Sequence, residues 1–168
     1  YDKSIPFSVN QVENLLEKYL KVFPKDHEIL VLLSEIKFIQ AKDEEACKLL
    51  SKALDINPLP YELWTQLITN HLSRENFDDA LKEADKALLI HPNQPFSYLA
   101  KGMVLNRKKD WEDALDVLNK GKLLVFDNKI LESEFYQQIG DALYGQKKFT
   151  EAFYNFDKSL EINEKNPI

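Results

Sequence analysis

At 168 residues, 44% hydrophobic and 30% charged, with four glycines and seven prolines, the chain has the makeup of an ordinary soluble helical protein. A net charge of −6 disfavours nucleic acid, whose non-specific binding rests on clustered Lys and Arg. The single Cys47 excludes a disulfide within the chain, and the longest apolar run, Ile29 to Leu33, is far too short for direct insertion across a membrane.

Residues 1–7, YDKSIPF, read as an irregular lead-in. From Ser8 to Val22 the apolar residues Val12, Leu15, Leu16, Tyr19 and Leu20 recur at spacings of three and four, which predicts one helix with a single apolar stripe. His27 to Pro60 predicts two helices, about 27–40 and 43–56, with acids in the turn AKDEE complementing the positive end of the second. Asn57-Pro58 stops that helix, because proline cannot donate the next helical hydrogen bond. Tyr61 to Gln94 repeats the plan at about 60–73 and 77–90, with Asn76 placed to cap the second helix ahead of Asp78 and Asp79. Pro95 to Asn128 does so again, with Pro95 in a first turn and Asp110 as the cap before Glu112 and Asp113. The last two helices fall at about 130–146 and 149–162, and EKNPI ends the chain.

A period of 34 residues runs through these elements. It separates Pro24, Pro58 and Pro92, then Ala46, Ala80 and Ala114, and also Leu30, Trp64 and Tyr98. Such a period with apolar residues at helical spacing predicts a helical repeat array. Residues 1–168 are therefore read as one elongated array: 8–24 is the second helix of a truncated repeat, followed by repeats at 27–60, 61–94, 95–128 and 129–164. The fourth is out of register, since Ala114 to Ala152 is 38 residues. Four extra residues are close to one helical turn, so a longer first helix absorbs them without rotating its apolar face. Ala46, Ala80, Ala114 and Ala152 are placed for close helix approach, and Ala53, Ala87, Gly121 and Ser159 repeat the device two turns later. Phe77, Trp111 and Phe149 in the second helices, with Leu30, Trp64, Tyr98 and Tyr136 in the first, fill the space between.

These residues resemble the tetratricopeptide repeat. Trp64, Leu67, Ala80, Ala87 and Pro92 carry its pattern in the second unit, Tyr98, Gly102 and Ala114 in the third, and Tyr136, Gly140, Ala152 and Phe156 in the fourth. The likeness covers nearly the whole chain. It departs where Ser34 and Ile68 replace the usual glycine, where Gly121 and Ser159 replace alanine, and where Phe126 and Glu164 replace the closing proline. The resemblance implies an all-α fold, a right-handed α-solenoid of stacked antiparallel helix pairs. It also implies a non-catalytic scaffold that binds a protein or peptide segment in a concave groove lined by the first helix of each unit.

Carried over position by position, that groove includes Phe38 in the first unit and Thr65 and Thr69 in the second. The third unit supplies Phe96, Leu99, Met103, Asn106 and Arg107; the fourth supplies Glu134, Gln137, Asp141, Tyr144 and Gly145. Phe96, Leu99 and Met103 are expected to form an apolar contact patch. Chaperone-binding members of the family hold a C-terminal carboxylate with Lys, Asn and Arg, but Val31, Glu35, Thr65 and Ala100 stand at those places here. An acidic EEVD-type tail is therefore a poor candidate, and an extended or helical segment with hydrophobic anchors and some basic charge suits the groove better.

Neither a glycine-rich phosphate loop, nor HExxH, nor a CxxC pair occurs. His27, His71 and His91 are spread over three helices or helix ends, so no metal, cofactor or catalytic residue is expected. Cys47 reads as a small hydrophobe, Trp64 and Trp111 as structural, Gly140 as a close helix contact, and Lys147-Lys148 as a solvated edge. A second functional reading is a spacer that self-associates through its ends into a homo-oligomer, because Tyr154 stands where other units have Lys48, Lys82 and Asp116. The chain does not begin with Met and is expected to be cut from a longer protein, which leaves both cytoplasmic and periplasmic or envelope-associated locations open. Its Asp/Lys-rich turns look similar to those of multi-repeat bacterial envelope proteins.

Overall fold

The computed structural model describes residues 8–165, which form nine helices. The lead-in expected at 1–7 and the last residues of EKNPI lie outside the described residues. The helices are α1 (Val9–Val22), α2 (His27–Ile39), α3 (Asp43–Ile56), α4 (Tyr61–Ser73), α5 (Phe77–Ile90), α6 (Pro95–Lys108), α7 (Trp111–Lys122), α8 (Lys129–Gly145) and α9 (Phe149–Lys165). Their bounds follow the predicted ones, with α9 running on to Lys165. They form sequential antiparallel pairs, as the apolar periodicity requires of helices too short to be stable alone.

Contacts divide the chain into two compact units, Tyr1–Leu63 and Trp64–Ile168, with the division falling inside α4. In the first unit, Leu30 and Leu33 of α2 and Ala46, Leu50, Ala53 and Leu54 of α3 are buried. Among the described residues α1 has no buried side chain, and an ionic cluster fastens it instead. The Lys37 ammonium of α2 reaches Glu13 of α1 at 2.6 Å and Glu45 of α3 at 3.0 Å, and Gln40 Nε2 donates to the other Glu13 oxygen at 2.6 Å.

The core of the second unit is built on Leu99, Ala114, Leu118, Phe135, Ile139 and Ala152. The small residues stand where the period put them: Ala80, Ala87, Ala114 and Ala152 are buried, and so are Gly121 and Ser159. Gly121 departs from the usual alanine for a visible reason. A Cβ there would run into the Tyr98 Cβ and lie 2.7 Å from Phe135 Cζ, so the large ring has taken the missing methyl's place. Gly140, expected at a close contact, faces the Phe156 ring.

One turn is used four times. Ala41, Glu75, Lys109 and Lys147 have φ of 56°, 58°, 66° and 63°, and each sits just past the first helix of a pair. The amide of the next residue donates five residues back, Lys42 to Lys37, Asn76 to His71, Asp110 to Leu105 and Lys148 to Leu143, at 2.9–3.0 Å. This is a Schellman closure made without glycine. The first three left-handed residues are 34 apart and the last is 38 further on. The four added residues therefore lie before Lys147, and α8, at 17 residues against 14 in α6, has taken up most of them.

The same turn corrects two expected caps. Asn76 and Asp110 occupy N-cap positions but make no side-chain cap bond, because closing the preceding helix leaves their ψ at 65° and 64°. Ser8, Asp26 and Asn128, with extended backbone at ψ 151°, 103° and 90°, accept the amides of Gln11, Ile29 and Leu131.

Candidate functional site

In the second unit, α6 and α8 are the first helices of neighbouring pairs, and a cavity of about 750 Å³ opens along them. Met103, Asn106 and Arg107 line it from α6, and Gln137, Asp141 and Tyr144 from α8. The repeated turn adds its own residues: Trp111 heads α7, while Lys147 and Phe149 close the α8–α9 corner.

Seven of the groove residues carried over from the family are thus brought together: Met103, Asn106, Arg107, Gln137, Asp141, Tyr144 and Gly145. Phe96, Thr65 and Thr69 are not in this lining; Phe96 and Thr65 are half-buried and Thr69 is exposed. Phe38 is half-buried on α2 in the other unit. Leu99 is a correction. It is 1% exposed and belongs to the core cluster with Leu118 and Phe135, so it has no surface to offer a partner. The expected Phe96–Leu99–Met103 patch fails at its centre because Leu99 points into the pair rather than out of it.

Asn106 is anchored by geometry. Its Nδ2 donates to the Gln138 carbonyl at 2.9 Å and to Gln138 Oε1 at 3.1 Å, which ties α6 to α8 at the cavity floor. The main-chain carbonyl can only accept, so the amide cannot be reversed and Oδ1 is fixed as an acceptor. Among the described residues that Oδ1 is buried without a donor, and Asn106 as a whole is 8% exposed. Tyr144, 54% exposed, meets Phe149 edge-on at 5.2 Å. Burial pushes the Asp141 carboxyl above its ordinary value, and the nearby Arg107 charge offsets part of that shift.

The repeat pattern marks Trp111 and Phe149 only as large packing residues. Their rings also form cavity wall, because the Schellman turn returns the first residue of the second helix to the groove. The Gly145 Cα lies against the Trp111 indole and leaves no room for a side chain there. Lys147, read as part of a solvated edge, is exposed yet stands at the cavity mouth. Among the described residues no group of three or more His, Cys, Asp or Glu gathers in a way that could hold a metal ion.

A model of the ChAPs family, described as Chs5p-Arf1p-binding proteins, matches residues 4–139. The chain belongs to the ChAPs family. It is also a tetratricopeptide-repeat protein by its relatives. The TPR repeat-containing protein MJ1428 of Methanocaldococcus jannaschii is 21% identical over 178 residues, covering 99% of this chain and 30% of the relative. The Protein SGT1 homolog of Oryza sativa subsp. japonica is 27% identical over 84 residues, 50% of this chain and 23% of the relative. The ChAPs chain thus spans less than a third of the length of these curated relatives. Among solved structures, MamA superposes with a TM-score of 0.76 at 21% identity, covering 94% of this chain and 90% of that one. YrrB, described as a TPR protein with an unusual peptide-binding site, gives 0.76 at 16% identity, covering 94% and 79%. At these identities the two structures share the fold with this ChAPs chain, and the fold is one typical of protein–protein interaction.

Proposed function

We propose that this ChAPs-family chain is a non-catalytic scaffold that holds a segment of a partner protein in the groove between α6 and α8. The observation that carries the reading is the cavity of about 750 Å³ beside a 54% exposed Tyr144, on the helices that the family pattern assigns to partner binding. The family's own description, binding to Chs5p and Arf1p, supports a protein as the occupant. Affinity capture with the full-length parent protein tests it. Met103→Glu and Tyr144→Ala lie on the cavity wall, so they are expected to lose a bound partner while far-UV circular dichroism stays helical. Retention of every partner by both variants would sink the reading.

A second reading is favoured by one feature. Phe153, Tyr154 and Leu160 of α9 are each more than half exposed, and they give this helix an apolar outer surface suited to self-association through the array's end. Light scattering on the chain and on a Phe153→Lys/Leu160→Lys variant distinguishes the two, since only an end-driven dimer falls to monomer.

A further inference from the structure

The α6–α8 groove carries more acceptors than its own residues satisfy. Asn106 Oδ1 is fixed as an acceptor and has no donor among the described residues. On α8, Glu134 and Asp141 are seven residues apart, so they share a face at a separation of about 10 Å. No hydrogen bond or ion pair holds either carboxylate among the described residues. Partial burial raises both carboxyls above their ordinary values; among the described residues no cation offsets this at Glu134, and at Asp141 Arg107 does so only in part. Beside Asp141, the Tyr144 and Phe149 rings offer electron-rich surface to a positive charge.

We propose that this groove selects a basic segment of its partner, with one Arg or Lys side chain entering between Asn106, Asp141 and Tyr144 and a second pairing with Glu134. The proposal rests on the groove being a peptide site, and it names the chemistry that the site prefers. A cation supplies a donor to Asn106 Oδ1 and pairs with two exposed carboxylates whose charged forms partial desolvation disfavours. In a polyproline-II segment, residues three apart share a face and are about 9 Å apart, which matches the spacing of Glu134 and Asp141. The chain's net charge of −6 favours the encounter. Arg107 and Lys147 at the mouth oppose it, and Arg107 thereby gives the test its sign.

The experiment is fluorescence anisotropy of three labelled, end-blocked nonapeptides against the whole 168-residue chain. One carries two arginines three residues apart, and the others have norleucine or glutamate in their place. The arginine peptide is expected to bind at least about ten-fold more tightly than the norleucine peptide and to weaken as NaCl rises from about 50 to about 300 mM. Asp141→Asn is expected to lose about ten-fold and Glu134→Gln several-fold, while Arg107→Gln tightens binding several-fold. All three side chains are exposed, so unchanged circular dichroism is the control. Equal binding of the arginine and norleucine peptides overturns the basic preference and leaves the groove reading standing. Preference for the glutamate peptide, weakened by Arg107→Gln, overturns it in the opposite sense. If none of the three binds at about millimolar concentration, the groove reading and the preference fall together.

Discussion

Lys109 holds a left-handed backbone at φ 66°, which an L side chain occupies at a cost that glycine does not carry. Replacing it by glycine is expected to stabilise the chain by about 0.5–1 kcal/mol, visible as a rise in melting temperature. A fall would mean that the Lys109 side chain contributes more than the strain removes. Gly121→Ala runs the other way: the methyl meets Tyr98 and Phe135, and overpacking of this kind costs about 1–3 kcal/mol. Leu99 shows where residue-level reading stops. Its repeat position marks it for the groove, but position along a helix does not say how the neighbouring helix is rotated. In the structure Leu118 and Phe135 close over it. Leu99→Asp should consequently unfold the unit, with loss of helical circular dichroism, because it buries an unpaired charge.

At the scale of elements, helix bounds were legible because proline, acidic first turns and the 34-residue period all mark them. The turns were not. With Ala41, Glu75, Lys109 and Lys147 in the left-handed position, no glycine announces the Schellman closure, and the caps expected at Asn76 and Asp110 were consequences of missing it. The ion cluster on α1 was equally invisible, since Glu13 and Lys37 are 24 residues apart and meet only once the helices pack. Its energetics follow from burial. Lys37 keeps 10% of its side chain exposed and Glu13 14%, so Lys37→Met leaves Glu13 and Glu45 without their shared cation. A cost of about 2 kcal/mol is expected, below that of a fully buried pair because Glu45 is largely exposed. Hydrogen exchange should localise the effect, with α1 amides losing protection before those of α2 and α3. Uniform loss across all three helices would show that the cluster supports the unit as a whole. The cluster also has a pH window. Hydrogen bonds from Lys37 and Gln40 hold Glu13 below its ordinary 4.5, so its contribution is present above that value and is lost as pH falls below it. Lys37 is raised by Glu13 and then Glu45, so its contribution is complete below 10.5 and disappears only in strong base.

For the whole molecule, charge connects stability to function. The net charge of −6 was plain in the sequence, but which acids are partly desolvated was not, since that depends on how the helices pack around each one. Glu134 and Asp141 have carboxyls raised in the folded state, so over that window the folded chain binds more protons than the unfolded one, and stability falls as pH rises through it. The double variant Glu134→Gln/Asp141→Asn should therefore melt at a higher temperature than the parent at neutral pH. Its advantage should shrink as pH drops toward the ordinary carboxylate values of 4.5 and 3.8, where the parent's groups are becoming neutral too. Thermal melts of both proteins across that pH range, at fixed salt, measure the difference directly and cancel the contribution of Glu13, which both share. A constant offset at every pH would trace the gain to helix propensity instead. A variant less stable at neutral pH would show that the two carboxylates already have compensating partners, and the groove would then lack the unmet negative charge on which a basic ligand depends.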